Sequence, residues 1–180
     1  LGWRLFPRFE QTVPQHKHLL MRKRYWLYYG LTFLSGARRQ IFMVFATFLM
    51  VEKFGYSASE IALLYIVNHS INTVVAPHIG KFVARFGEKL ALTIEYLGLI
   101  IIFSAYAFVE TAWVAVALFI LDHILFAMAI AIKSYFKKIA APADMASTAS
   151  VAFTINHIAA VVIPASFGLL WLISPAAVFL

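Results

Sequence analysis

The chain has 180 residues, of which 63% are hydrophobic and 13% are charged, and its mean hydropathy is +0.85. Soluble domains carry about 25% charged residues, so this composition excludes a soluble globular domain and indicates a membrane protein. The formal net charge is +7, and the chain contains no cysteine, which excludes disulfides and thiol chemistry.

Five apolar segments are long enough to cross a bilayer. The hydrocarbon core is about 30 Å thick and a helix rises about 1.5 Å per residue, so a spanning helix needs roughly 20 apolar residues. The sequence predicts spans at residues 25–51, 58–79, 89–109, 113–136 and 146–172, with a sixth apolar segment beginning near residue 175. Because the apolar runs are continuous and not alternating, they favour helices over barrel strands. We therefore predict an all-α, polytopic membrane helical bundle over residues 25–180.

Residues 1–24 contain two prolines and no long apolar run, which is typical of a connector. A basic amphipathic helix lying on anionic lipid is the alternative for this stretch. The chain begins at Leu1 and ends inside an apolar stretch, so we expect it to be part of a longer polypeptide.

Basic residues alternate between the connections. Twelve of the fifteen lie before the first span, between the second and third, or between the fourth and fifth: Arg4, Arg8, Lys17, Arg22, Lys23, Arg24, Lys81, Arg85, Lys89, Lys133, Lys137 and Lys138. The other connections carry Lys53 with three glutamates. Because short basic loops resist translocation, we expect the connector and both basic loops to face the cytoplasm. This distribution accounts for the net charge without a nucleic-acid partner.

Polar residues occur near the middle of four predicted spans. Charged side chains in hydrocarbon cost about 2.5 to 3.5 kcal/mol each, so they are expected to face partners or a wet cavity. Tyr65 and Asn72 share a helical face with Asn68, and Ser147, Ser150 and Thr154 share one with His157. The alternative for these stripes is hydrogen bonding between helices. The sequence therefore predicts a solute or ion pathway at Arg38, Arg39, Tyr65, Asn68, His69, Asn72, Asp122, His123, Asn156 and His157.

Arg38 and Arg39 point about 100° apart on a helix, so they cannot share one role. We predict that one pairs with Asp122, the only acid near the midplane, and that the other faces the pathway. There its planar guanidinium can bind a carboxylate or phosphate. The alternative is that both arginines belong to a fixed buried network.

Histidines occur at 69, 123 and 157, and an imidazole side chain can carry a proton across the polar layer. Glu95, about one and a half turns inside the third span, is predicted to extend toward Lys89 or Arg85. Accepting the proton is its alternative role. Pro164 interrupts the fifth span and is a candidate hinge, with an ordinary proline of a membrane helix as the alternative.

The connection between the second and third spans reads GKFVARFGEK, residues 80–89. Gly80 and Gly87 permit a tight turn there. The stretch resembles the cytoplasmic loop of the major facilitator superfamily, which reads roughly G-x-x-x-D-R-x-G-R-K. The residues that match are Gly80, Arg85, Gly87 and Lys89. Ala84 replaces the usual aspartate, and Glu88 replaces a basic residue.

The stretches YWLYYGLTFLSGARRQIF and FTINHIAAVVIPASFG are similar to the second half of uncharacterised bacterial members of the same superfamily. The resemblance implies helices seven to eleven of a twelve-helix transporter, with residues 1–24 as the end of the loop that joins the halves. A piece of the first half is the alternative, because the loop occurs at the same place there.

The resemblance implies a secondary active transporter in the bacterial inner membrane that works by alternating access. The arginines near the middle of the first span favour a small anionic solute, and the histidines favour proton coupling. The expected partners of the transporter are the lipid bilayer, the solute, protons and the missing half of the polypeptide. We expect neither an enzyme nor a cofactor, and soluble catalytic motifs are absent from the sequence. Rival interpretations are a divalent-metal transporter, a membrane redox protein with haem bound by two histidines, and a scaffold or sensor without flux.

Overall fold

The computed structural model describes residues 13–16, 18–19 and 21–180. Arg4, Arg8 and Lys17 of the predicted connector lie outside the described residues. Seven α-helices are present: α1 Trp26–Gln40, α2 Thr47–Phe54, α3 Ala58–Phe86, α4 Glu88–Ala107, α5 Ala112–Phe126, α6 Ile130–Ile139 and α7 Met145–Ile173. Six π-helical residues, Ile41–Ala46, join α1 to α2, and a 3-10 turn, Ala127–Ala129, joins α5 to α6. No strand occurs in the described part of the chain, so the all-α prediction is confirmed there.

Four helical segments are long and apolar enough to cross a membrane: Lys23–Phe54, Glu88–Ala107, Ala112–Ile139 and Pro142–Ile173. They coincide with the first, third, fourth and fifth predicted spans. α3, at the second predicted span, is not among the four. It has 29 residues and is long enough, but polar side chains in its middle, including Asn68, His69 and Asn72, make it less apolar. Near residue 175, where a sixth segment is predicted, there is a single 3-10 turn, Ala176–Val178.

Local sequence sets the ends of α2 and α3. α2 ends at Gly55, whose φ of 72° is left-handed, a conformation that glycine adopts without a steric penalty. Ser57 caps α3, accepting from the Glu60 backbone N–H while the Glu60 side chain accepts from the Ser57 N–H. α3 then continues to Phe86 and ends at Gly87, whose φ is 88°.

The prediction that Gly80 forms part of a turn is therefore wrong. Gly80 lies inside α3, because the residues that follow it continue the helix to Phe86. Arg85 is in the last turn of α3 and Lys89 in the first turn of α4, so Gly87 alone separates the two helices.

Contacts between helix ends show that successive segments run up and down. At one end Tyr25 bonds to Asp144, and Lys138 Nζ lies 2.7 Å from a Glu88 oxygen. At the other end Lys53 Nζ is 3.4 Å from Glu110 Oε1. We call the first the basic end and the second the opposite end. α1 packs along α7, and α5 packs against both α3 and α4.

Two aromatic-rich cores occupy the two ends of the bundle. The core at the basic end contains Tyr25, Tyr28, Tyr29, Ile132, Phe136, Val151 and Ala152. The larger core toward the opposite end includes Phe42, Phe45, Met50, Tyr106, Phe119, Trp171 and Phe179. Burial of these large side chains removes most of their apolar surface from contact with lipid or water, and packing fixes the helices around the polar middle.

Candidate functional site

Arg38 lies in a buried charge cluster where α1, α4 and α5 meet. Its Nη2 donates to the Asp122 carboxylate Oδ2 at 3.0 Å and to the Asp122 backbone carbonyl at 2.6 Å. Its Nη1 is 3.6 Å from Glu95 Oε1, and the guanidinium lies 4.7 Å from the centroid of the Phe126 ring. Arg38 is 5% exposed and both acids are 1% exposed. Two carboxylates thus share one guanidinium inside the bundle.

The structure places Arg38, and not Arg39, beside Asp122. It also corrects the interpretation of Glu95, which faces Arg38 across the bundle instead of extending toward Lys89 or Arg85. The buried residues of α4 are Ala91, Glu95, Leu99, Ile102 and Tyr106. Their spacing of three or four residues puts Glu95 on the inward face. That periodicity was the signal in the sequence for an inward Glu95.

Several polar atoms of this cluster have no hydrogen-bond partner within the described residues. They are Asp122 Oδ1, Glu95 Oε2, Arg38 Nε, Arg38 Nη1 and the Tyr96 hydroxyl. Buried polar groups are normally paired, and a buried charge without a partner is strongly unfavourable. The two carboxylate oxygens can therefore accept a proton, and all of these atoms can form hydrogen bonds to water.

Arg39 has a different environment. Its side chain is exposed, and it makes no ion pair or hydrogen bond with the described residues. The exposed apolar residues of α1 include Trp26, Leu27 and Leu34. Arg39 is five residues beyond Leu34, which places it roughly 140° around the helix from Leu34. It therefore faces away from the exposed apolar side of α1.

The predicted pathway residues of α3 divide between the interior and an exposed face. The Asn68 side chain is 1% exposed and its amide donates to the Phe119 carbonyl at 3.4 Å. Tyr65 and Asn72 are half-buried; the Tyr65 hydroxyl is 2.9 Å from Thr47 Oγ1, and Asn72 Oδ1 has no hydrogen-bond partner in the described part of the chain. His69 is exposed.

His69 on α3 meets His123 on α5. The two rings lie edge to face with centroids 5.2 Å apart. His123 is 9% exposed, its ring is 5.8 Å from that of Phe42, and its Nε2 has no partner among the described residues. Asp122 and His123 thus point to different neighbours, one to Arg38 and the other to His69.

On α7 the polar stripe is mostly exposed and bonded to its own helix. Ser150 and Thr154 donate to the carbonyls four residues earlier at 3.0 and 3.1 Å, and His157 Nδ1 is 2.9 Å from the Phe153 carbonyl. Half-buried Asn156 packs against Gly36 of α1 and donates to the Ala152 carbonyl. Ser147 is buried, and its hydroxyl donates to the His18 carbonyl at 2.6 Å. Ser147 is therefore separated from the exposed part of the stripe.

A family model described as Major Facilitator Superfamily matches residues 5–164. The chain belongs to the major facilitator superfamily. It is thus a member of a family of transporters, an integral multi-pass membrane protein whose partners are the lipid bilayer and a small solute. No curated protein and no solved structure matches it.

In this chain, Glu88 of the superfamily loop, at the start of α4, contacts two residues of α6. It accepts from Ser134 Oγ at 2.7 Å and pairs with Lys138. Arg85 is exposed, with its guanidinium 5.3 Å from the Phe86 ring centroid. Glu88, where the family has a basic residue, is thus used as an acid in a contact with α6.

A cavity of about 440 Å³ lies at the opposite end of the helical bundle. The residues that line it include Glu52, Lys53, Tyr106, Trp171 and Phe179. None of the predicted pathway residues lines it. Nor do the described residues contain a group of three or more side chains suited to hold a metal ion. α7 runs through Pro164 without a break in the helix, so the hinge stays a prediction.

Proposed function

We propose that this protein is a secondary active transporter that moves a small anionic solute, and that Arg39 binds the anion. In this proposal α3 is also a transmembrane helix, so the chain supplies five spans and the start of a sixth. The basic end faces the cytoplasm, following the distribution of basic residues. The chain is then the second half of a twelve-helix transporter in a bacterial inner membrane, and it works with the other half by alternating access.

The observation that carries this proposal is the contrast between the two arginines. Arg38 has two acidic neighbours, whereas Arg39 is exposed and has none within the described residues. A charged side chain exposed to hydrocarbon is unfavourable by at least about 2.5 kcal/mol. Because Arg39 also faces away from the exposed apolar side of α1, a water-filled pathway is the environment that suits it. An exposed guanidinium there attracts anions and repels the cations of a metal transporter.

The exposed polar residues of α3 and α7 support the same pathway. His69, Thr154 and His157 are exposed near the middle of their helices. Thr154 and His157 bond to carbonyls of their own helix, so the structural alternative of hydrogen bonds between helices does not account for these two. The His157 Nδ1 contact leaves Nε2 available to a ligand. Their helices therefore offer hydrogen-bonding groups to a solute.

Uptake of a panel of organic carboxylates and phosphates by the full-length protein in lipid vesicles tests the role of Arg39. We expect Arg39→Gln to reduce uptake by about tenfold or more, the loss expected for a charged hydrogen bond. Arg39→Lys keeps the charge but loses the planar fork, so it is expected to retain part of the uptake. Lys81→Gln, which removes an exposed cation near the basic end, is the matched control and should not change uptake. Full uptake by Arg39→Gln would contradict the proposal.

A second proposal, proton coupling, is favoured by the unequal charges of the buried cluster. Glu95 and Asp122 together carry two negative charges when ionised, and Arg38 balances only one. A buried unbalanced charge is strongly unfavourable, so one proton held between the two carboxylates neutralises the cluster. Release of this proton when the cluster opens to water would couple transport to the proton gradient.

Glu95→Gln tests the coupling separately from solute binding. The substitution fixes the neutral form of this side chain, so we expect accumulation driven by a pH gradient to be lost while exchange of labelled for unlabelled solute continues. Glu110→Gln, an exposed acid at the opposite end, is the control. If Glu95→Gln still accumulates solute in response to the pH gradient, Glu95 does not carry the coupled proton.

A further inference from the structure

Asp144, in the short 3-10 turn Pro142–Asp144 before α7, is a buried carboxylate with several partners at the basic end. Arg22 holds it with two contacts, from Nε to Oδ2 at 2.9 Å and from Nη2 to Oδ1 at 3.0 Å. The Tyr25 hydroxyl donates to Oδ2 at 2.9 Å, and His16 Nε2 is 3.5 Å from Oδ1. A paired guanidinium and carboxylate of this kind is among the stronger polar contacts in proteins.

Other residues before α1 contact the same region. Gln15 Nε2 donates to the Pro142 carbonyl at 2.8 Å, and Gln15 Oε1 accepts from the Ala146 N–H at 3.1 Å. The His16 N–H donates to the Ala143 carbonyl at 3.1 Å. We call Gln15, His16, His18 and Arg22 the strap. The strap thus binds the turn and the first residues of α7 through both side-chain and backbone groups.

The strap also covers the first residue of the polar stripe on α7. The His18 carbonyl accepts from Ser147, which is only 5% exposed. Ser150, one helical turn further on the same face, is exposed. The strap therefore ends where the exposed part of the stripe begins.

We propose that the strap is a gate at the cytoplasmic end of the solute pathway, fastened by Arg22 to Asp144. When fastened, it covers the start of the α7 stripe. When released, it exposes Ser147 and opens the route past Ser150 and Thr154. The inference rests on the proposed function, because it takes the α7 stripe as part of the pathway.

The partners of the strap are suited to such opening. Arg22 is 47% exposed, and Gln15 is half-buried but makes its hydrogen bonds to Pro142 and Ala146 at exposed positions, so water can replace their contacts when they detach. Asp144 retains the Tyr25 hydroxyl, which belongs to the helical segment and not to the strap. Elements held by exposed hydrogen bonds open at lower free energy than the packed core.

Thiol labelling tests the gate without knowledge of the solute, because the chain contains no native cysteine. Ser150→Cys is introduced into the full-length protein in inside-out vesicles, and its rate of reaction with a membrane-impermeant maleimide is measured. We expect Arg22→Gln to raise the rate by about tenfold, since it removes a charged two-contact pair. Gln15→Ala is expected to raise it less, and it leaves no buried charge unpaired.

Two controls separate gate opening from general loosening. Lys53→Gln breaks an ion pair at the opposite end and should leave the labelling of Ser150→Cys unchanged. A cysteine at exposed Ser166, far along α7, should label equally with and without Arg22→Gln. An unchanged rate at Ser150→Cys in both strap variants, or an equal rise at Ser166→Cys, would overturn the gate while leaving the pathway intact. If Ser150→Cys reacts in no variant, the stripe is not in water, and the proposed pathway fails along with the gate.

Discussion

Arg38 and Arg39 are neighbours in sequence, yet they belong to two regions with different physical chemistry. The region around Arg38 is closed, with three charged groups at most 5% exposed and held across three helices. Arg39 is exposed, and the exposed polar residues Thr154 and His157 of α7 bond to their own helix. Removing the single positive charge of the closed region should therefore destabilise the fold, whereas removing Arg39 should affect the solute.

The largest expected effect separates the two arginines by stability. Arg38→Leu leaves Glu95 and Asp122 buried without a counter-charge, so we expect the free energy of unfolding to fall by about 3 to 5 kcal/mol. Arg39→Leu should change it by no more than about 0.5 kcal/mol, as for other exposed positions. Denaturant unfolding of the purified protein in detergent measures both values.

A triple variant shows whether unpaired charge is the cause of that loss. Arg38→Leu combined with Glu95→Gln and Asp122→Asn removes all three charges, and we expect it to recover most of the stability lost by Arg38→Leu alone. If the triple variant is as unstable as the single one, packing and not charge explains the effect of Arg38.

A smaller effect is expected at the contact between α1 and α7, which holds the helix of Arg39 against that of His157. A Cβ on Gly36 would lie 2.8 Å from Asn156 Oδ1 and 3.2 Å from the Ala159 Cβ. Gly36→Ala should therefore lower the free energy of unfolding by about 1 to 3 kcal/mol. Gly30→Ala is the matched control on the same helix, because a Cβ there meets nothing within 4 Å. We expect it to be neutral or stabilising by up to about 1 kcal/mol.

The smallest expected effect compares a hydroxyl group that bonds between two helices with one that bonds within its own helix. Tyr65→Phe removes the hydroxyl that contacts Thr47 on a neighbouring segment, so we expect a loss of about 1 kcal/mol. Thr154→Val removes a hydroxyl that bonds only within its own helix, and the change should stay within about 0.5 kcal/mol. Unfolding measurements check the difference. Equal losses in the two variants would show that the α7 stripe also contributes to packing.

Hydrophobic length predicted the fold well, because an apolar run long enough to cross a bilayer has few alternatives to a helix. The four segments that meet the length and apolarity requirement coincide with four predicted spans. α3 meets the length requirement only, since its polar residues make it the least apolar of the set. Gly80 was misassigned because a glycine in sequence does not show whether the helix continues past it.

The sequence alone determined that the chain is a helical membrane protein with ionisable residues in the middle of its apolar segments, since composition and spacing depend only on the order of residues. It also required Arg38 and Arg39 to have different roles, because adjacent side chains diverge on a helix. Only the tertiary structure decided that Arg38 is the arginine that contacts Asp122 and that Glu95 lies beside it. It also decided that Ser147 bonds to the His18 carbonyl. These contacts join residues 57 to 129 positions apart, and the rotation of each helix about its axis, which packing alone fixes, determines which side chains meet.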